Sequence, residues 1–152
     1  MEVMNVLRLF YRNVFIETIL LTAVVIQIVS GLKLVKANKR FTITNMERIH
    51  IWSGLYLAFF LILHVSAVLV GRFLLHLDTN FYFGVAGINS FPFNLFFVPY
   101  YTLAILSFFA QIASVDSKKM KKNIFSITPI SQSIMMIAAG ILLIIIIFYG
   151  LT

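Results

Sequence analysis

The chain has no cysteine, and its 152 residues hold only three prolines, seven glycines and three histidines. Without cysteine there is no disulfide scaffold, no thiol chemistry and no thiolate ligand for zinc or an iron–sulfur cluster. Charge is equally scarce: charged residues make up 11% of the chain, where soluble domains carry about 25%. Few glycines against sixteen phenylalanines and six tyrosines argue for tightly filled helices and against a wide, glycine-lined pore. No motif for nucleotide, metallohydrolase or nucleophile-elbow chemistry is present, so a hydrolase or nucleotide enzyme has nothing to be built from.

Apolar residues dominate what remains, at 61%. A soluble fold of this size could not hide that much apolar surface. Four runs are long enough to cross a bilayer: about 14–35, 49–71, 93–115 and 129–149. In lipid the backbone must satisfy its own hydrogen bonds, and no run alternates with the period of two that a barrel needs. The expectation is an all-α, polytopic membrane protein. Its 152 residues form one domain, an up-down-up-down four-helix transmembrane bundle. Thr44 or Asn45 ahead of Glu47, Pro92, and Thr128 before Pro129 read as helix starts. The first run is too long for a cleaved signal peptide and has no small-residue cleavage pattern, so it is expected to be retained.

The net charge of +7 invites a nucleic-acid partner, but the positions of the charges argue against one. Nine of the twelve basic residues lie in two short loops: Lys33, Lys36, Lys39, Arg40 and Arg48, then Lys118, Lys119, Lys121 and Lys122. Positive loops stay inside, which puts loops 36–48 and 116–128 in the cytoplasm. Both termini and the loop 72–92 then lie outside a plasma (inner) membrane. The lipid bilayer is the first partner. The outer loop is rich in aromatics, and two readings stand beside each other: an interfacial aromatic belt, or a lid over a cofactor or quinone pocket.

Ionisable groups inside a bundle are costly and informative. His50 and His64 are fourteen residues apart on one run, which returns both to nearly the same helix face about 21 Å apart. Gly54 sits one turn after His50, where a missing side chain admits a flat ring. Imidazole is a usual axial ligand for haem iron, and Arg48 and Arg72 stand near the two ends where cations could meet propionates. His76, twelve residues past His64, is a weaker third metal candidate, turned about 120° away. The competing reading makes both histidines polar glue between helices. Gln27, Gln111 and Gln132 read as interhelical hydrogen bonds, and Glu17 as a carboxylate paired with Arg8 or Arg12 or facing the outer pocket.

The stretch RIHIWSGLYLAFFLILHVSAVL resembles the histidine-bearing helix of membrane b-type cytochromes, a class of four-helix bundles that includes di-haem respiratory anchors and cytochrome b561-like proteins. The matching residues are His50, Gly54 and His64, and QIVSGLKL with Gly31 is a fainter echo. The resemblance implies haem b held by His64 and His50, electron transfer with quinone as the exchange partner, and a larger complex of redox subunits or further copies of the chain. It makes the chain at most an electron-transfer subunit. The sequence departs from the class in offering no histidine on the first, third or fourth span. Met135 and Met136 are the thioether alternatives, and packing is the more ordinary use of methionine. The alternative function is a haem-free membrane anchor of a larger complex.

Overall fold

The computed structural model describes residues 9, 13–37, 44–77, 79, 81–120 and 127–151. Arg8, Arg12, Lys39, Arg40, Lys121 and Lys122, which entered the charge and pairing readings above, lie outside the described residues. Those described form five helices and no strand: α1 (Val14–Ala37), α2 (Asn45–Phe73), α3 (Phe81–Asn89), α4 (Asn94–Lys119) and α5 (Pro129–Leu151). Four of them, all but α3, are long and apolar enough to cross a membrane. The protein is therefore an all-α, multi-pass membrane protein, as the composition required.

The chain divides into two compact units, residues 1–38 and 39–152. The first holds α1, a single 24-residue helix with Glu17 in its first turn. Thr18 and Thr22 each return their hydroxyls to the carbonyl four residues back, Val14 and Thr18, at 2.7 Å. Each hydroxyl is thereby satisfied within its own helix.

The second unit is built on α4, which packs against both α2 and α5. Cross-helix hydrogen bonds join His50 to Ser114 and Ser53 to Gln111, and Tyr100 bonds the carbonyl of Phe60. As numbers rise along α2 they fall along α4, so the two helices are antiparallel. Ser133 on α5 reaches the carbonyl of Ala113, and Gly140 lies against Phe109, so α5 is antiparallel to α4 as well.

Local signals set the helix ends. Thr44 caps α2 in a capping box: its Oγ1 accepts from the Glu47 amide at 3.3 Å, and the Glu47 carboxylate accepts from the Thr44 amide at 3.1 Å. That choice selects Thr44 over Asn45 as the cap. Thr128 likewise accepts from the Ser131 amide at 3.3 Å ahead of Pro129. Pro92 sits in the turn just before α4, following a cis peptide bond from Phe91. Inside α4, Pro99 has no amide to give the Leu95 carbonyl one turn back. Gln132 departs from expectation: its side-chain amide donates to the Ile127 carbonyl at 2.9 Å, completing its own helix start and crossing to no neighbour.

The buried residues mix apolar side chains, Leu57, Ala58, Ile88, Tyr100, Ala104 and Ala113, with the serines Ser53, Ser114 and Ser133. The exterior is apolar as well, with Phe59, Ile62, Leu103, Ile134 and Ile145 exposed. An apolar exterior suits lipid, and the small alanines and serines let helix backbones approach at the interface. Gly140 is the tightest case. A Cβ there would stand 2.8 Å from Cγ and Cδ2 of Phe109, closer than real contacts allow.

Candidate functional site

α2 carries His50 and His64 on one helix face, and α4 gives them different neighbours. His50 sits in a polar cluster. Its Nδ1 lies 2.9 Å from Ser114 Oγ, and Ser114 in turn donates to the Gln111 carbonyl at 2.8 Å. A hydroxyl has one proton. With that proton on the Gln111 carbonyl, the Ser114 oxygen accepts from His50, which leaves the imidazole protonated at Nδ1 and a lone pair on Nε2. Ser53 donates to Gln111 Oε1 at 2.7 Å. Gly54 stands over the same Gln111 side chain, whose amide atoms lie 3.5 Å from where a Cβ would be. The group that approaches the glycine is thus an amide of α4. Gln111 crosses between helices as the sequence suggested.

His64 lies nearly four turns further along α2, in different surroundings. Its ring stacks on Phe60, with centroids 5.2 Å apart and planes 10° from parallel. The edge contact with Tyr101 is 6.1 Å at 77°. Among the described residues the imidazole nitrogens have no hydrogen-bond partner. The ring borders a cavity of about 630 Å³ between α2, α3, α4 and the end of α5, within the size range of small-molecule sites. Aromatic rings of Phe96, Phe97, Tyr100, Tyr101 and Phe148 make much of its wall.

Helix α3 forms part of that wall through Gly84, Val85 and Ile88. It was not expected from the sequence, which gave the segment only as an aromatic loop. It is held close to α4 because Gly87 leaves room for the Phe97 ring, 3.0 Å from an imagined Cβ. The segment therefore forms one side of the His64 cavity.

The other candidates stand apart from this cavity. His76 is exposed beyond the end of α2, with the left-handed backbone angle φ 51°. Arg48 is exposed and Arg72 half-buried, near opposite ends of α2; neither borders the cavity. Met136 lines a separate depression of about 410 Å³ with Gln111 and Asp116. Among the described residues no three histidine or acidic side chains gather as a metal site.

Of the groups that could hold a haem iron, the described cavity wall offers the His64 imidazole. No opposing nitrogen or sulfur donor and no cation borders it among the described residues. Sequence reasoning missed Tyr101 and Thr79, which share the cavity with His64. A tyrosine pair in an aromatic-rich helix and a loop threonine carry no signal until the tertiary structure brings them together.

No protein-family model, curated protein or solved structure matches the chain.

Proposed function

We propose that the protein is a membrane-embedded electron-transfer subunit whose redox-active ligand occupies the His64 cavity. One observation carries this reading: an imidazole whose nitrogens have no hydrogen-bond partner among the described residues borders an aromatic, mostly apolar cavity of about 630 Å³. A polar side chain kept unsatisfied among apolar ones is expensive in a membrane, and function is the usual reason. The resemblance of the His50–His64 helix to b-type cytochromes nominates haem b, which His64 would help to hold and which would supply one-electron transfer if bound. His50, with its lone pair on Nε2, is the second nominated ligand, with quinone the exchange partner.

The direct test is optical. Protein purified in mild detergent from haem-supplied cells should show a Soret band that shifts on reduction, and His64→Ala should lose it. Colourless protein with no extractable haem removes haem b from the proposal.

A second reading has its own support. The bond from His50 to Ser114 and the missing opposing ligand suit a haem-free anchor held in a larger complex. Stable co-purifying partners, retained after His50→Ala with His64→Ala, would favour it.

The orientation belongs to the proposal: loops 36–48 and 116–128 face the cytoplasm of a plasma membrane, and the termini and 72–92 face outward.

A further inference from the structure

Helix α1, a unit of its own, carries one amide deep in its apolar stretch. Gln27 lies in the span Val14–Lys33, about 20 Å from Val14 and about 9 Å from Lys33 along the helix axis. That places it within the hydrocarbon of a bilayer about 30 Å thick. Thr18 and Thr22 return their hydroxyls to their own helix, but Gln27 has no hydrogen bond among the described residues. A primary amide offers two N–H donors and a carbonyl acceptor. Lipid tails satisfy none of them, so the group calls for a polar partner at its own depth.

The amide belongs to a stripe. Ile16, Leu20, Ala23, Gln27 and Ser30 follow one another at spacings of four, three, four and three, the seam of a left-handed helix pair. Leu20, Ala23, Gln27 and Ser30 are all exposed. Ala23 and Ser30, one turn to either side of Gln27, are small enough to let a second backbone come close. Thr22 and Val25 take the other side of the helix, about 140° and 160° away from Gln27.

A second copy of the chain meets these demands. Copies inserted with one topology pair about a two-fold axis along the membrane normal, and such an axis sets each residue opposite itself at the same depth. The amide is donor and acceptor at once, so it is its own complement. A different partner would have to bring a donor–acceptor group to that depth independently. We infer that α1 is a dimerisation helix, pairing in parallel with α1 of a second copy along this stripe, with Gln27 hydrogen-bonded to Gln27 of the partner subunit. The pairing is independent of what the His64 cavity binds.

The test follows energy transfer between donor- and acceptor-labelled copies of the full chain, each dye at Ser90→Cys, in lipid bicelles over a range of protein-to-lipid ratios. The protein should dimerise. Gln27→Leu, close in size, removes two amide hydrogen bonds and should weaken the dimer about five- to twentyfold. Gln27→Asn keeps the amide and should stay within about threefold of the unsubstituted chain. Oxidative crosslinking in native membranes reads the geometry, because the chain has no cysteine of its own. Ala23→Cys should give a disulfide-linked dimer, and Val25→Cys should not. A monomer at every ratio overturns the inference, as does a dimer of unchanged affinity in Gln27→Leu, one weakened equally by Gln27→Leu and Gln27→Asn, or equal crosslinking at both positions. A monomer whose unfolding midpoint falls in Gln27→Leu gives the amide to its own chain, and a co-purifying protein released by Gln27→Leu gives it to a different partner; either result overturns the pairing.

Discussion

At the scale of single residues, two histidines of one helix face take opposite parts in the energetics. His50 is bonded across the helix interface to Ser114, so removing Ser114 strands the imidazole Nδ1, while removing His50 leaves Ser114 its bond to the Gln111 carbonyl. Interhelical hydrogen bonds in membranes average about 0.6 kcal/mol and reach roughly 1.7. A double-mutant cycle of His50→Ala and Ser114→Ala, followed by unfolding in mixed micelles, should give a coupling of about 0.5–1.5 kcal/mol. Among the described residues His64 has ring contacts with Phe60 and Tyr101 and no hydrogen bond to lose. His64→Leu should leave stability unchanged or raise it, because an unsatisfied polar group is replaced by an apolar one of similar size. A loss of more than about 2 kcal/mol in the same assay would show that His64 is a structural residue after all. The sequence placed both histidines on one face from their spacing. It could not assign their neighbours, because Ser114 stands 64 positions from His50 and Tyr101 lies on another helix from His64.

At the scale of elements, helix ends were legible because caps are local. The Thr44–Glu47 capping box spans four residues, and Thr128 with Pro129 is adjacent in sequence. Thr44→Ala should cost about 1 kcal/mol of stability, read by the same unfolding assay. The packing of α5 on α4 depends on an absence, the side chain of Gly140. Gly140→Ala forces a methyl to within 2.8 Å of Phe109, where the nearest atoms are at the root of the ring and cannot swing clear. The expected cost is about 1–3 kcal/mol, read as a lowered midpoint in thermal unfolding. Gly31 and Gly150 have open space where a Cβ would go; alanine at either should change stability by less than about 1 kcal/mol. α3 escaped the sequence reading for a physical reason. Nine residues between two turns carry too little periodicity to mark a helix, and its position is set by contact with α4. Gln132 misled for a related reason: a glutamine early in a helix can serve either a neighbour or its own first turn.

At the scale of the whole molecule, lipid and not water is the solvent the surface is built for. Exposed phenylalanine, isoleucine and leucine cover helices whose interfaces set serines, alanines and glycines beside residues such as Leu57, Tyr100 and Phe109. The proposed orientation is open to a direct measurement, because the natural chain has no cysteine to confuse labelling. Lys119→Cys should react with a membrane-impermeant maleimide only when the cytoplasmic face is opened. Ser90→Cys should react in intact cells freed of any outer membrane. The reverse pattern would invert the proposed topology.

The amino-acid sequence alone determined that the protein is helical, membrane-spanning and four-span. Each of these follows from quantities summed along the chain: apolar length, charge position and local capping. Only the tertiary structure decided which polar groups are satisfied. It spent His50 on Ser114 and left His64, Tyr101 and Thr79 around one cavity. Such pairing is a matter of distance between residues remote in sequence. Helical periodicity reports which face a side chain takes, and is silent on what stands opposite.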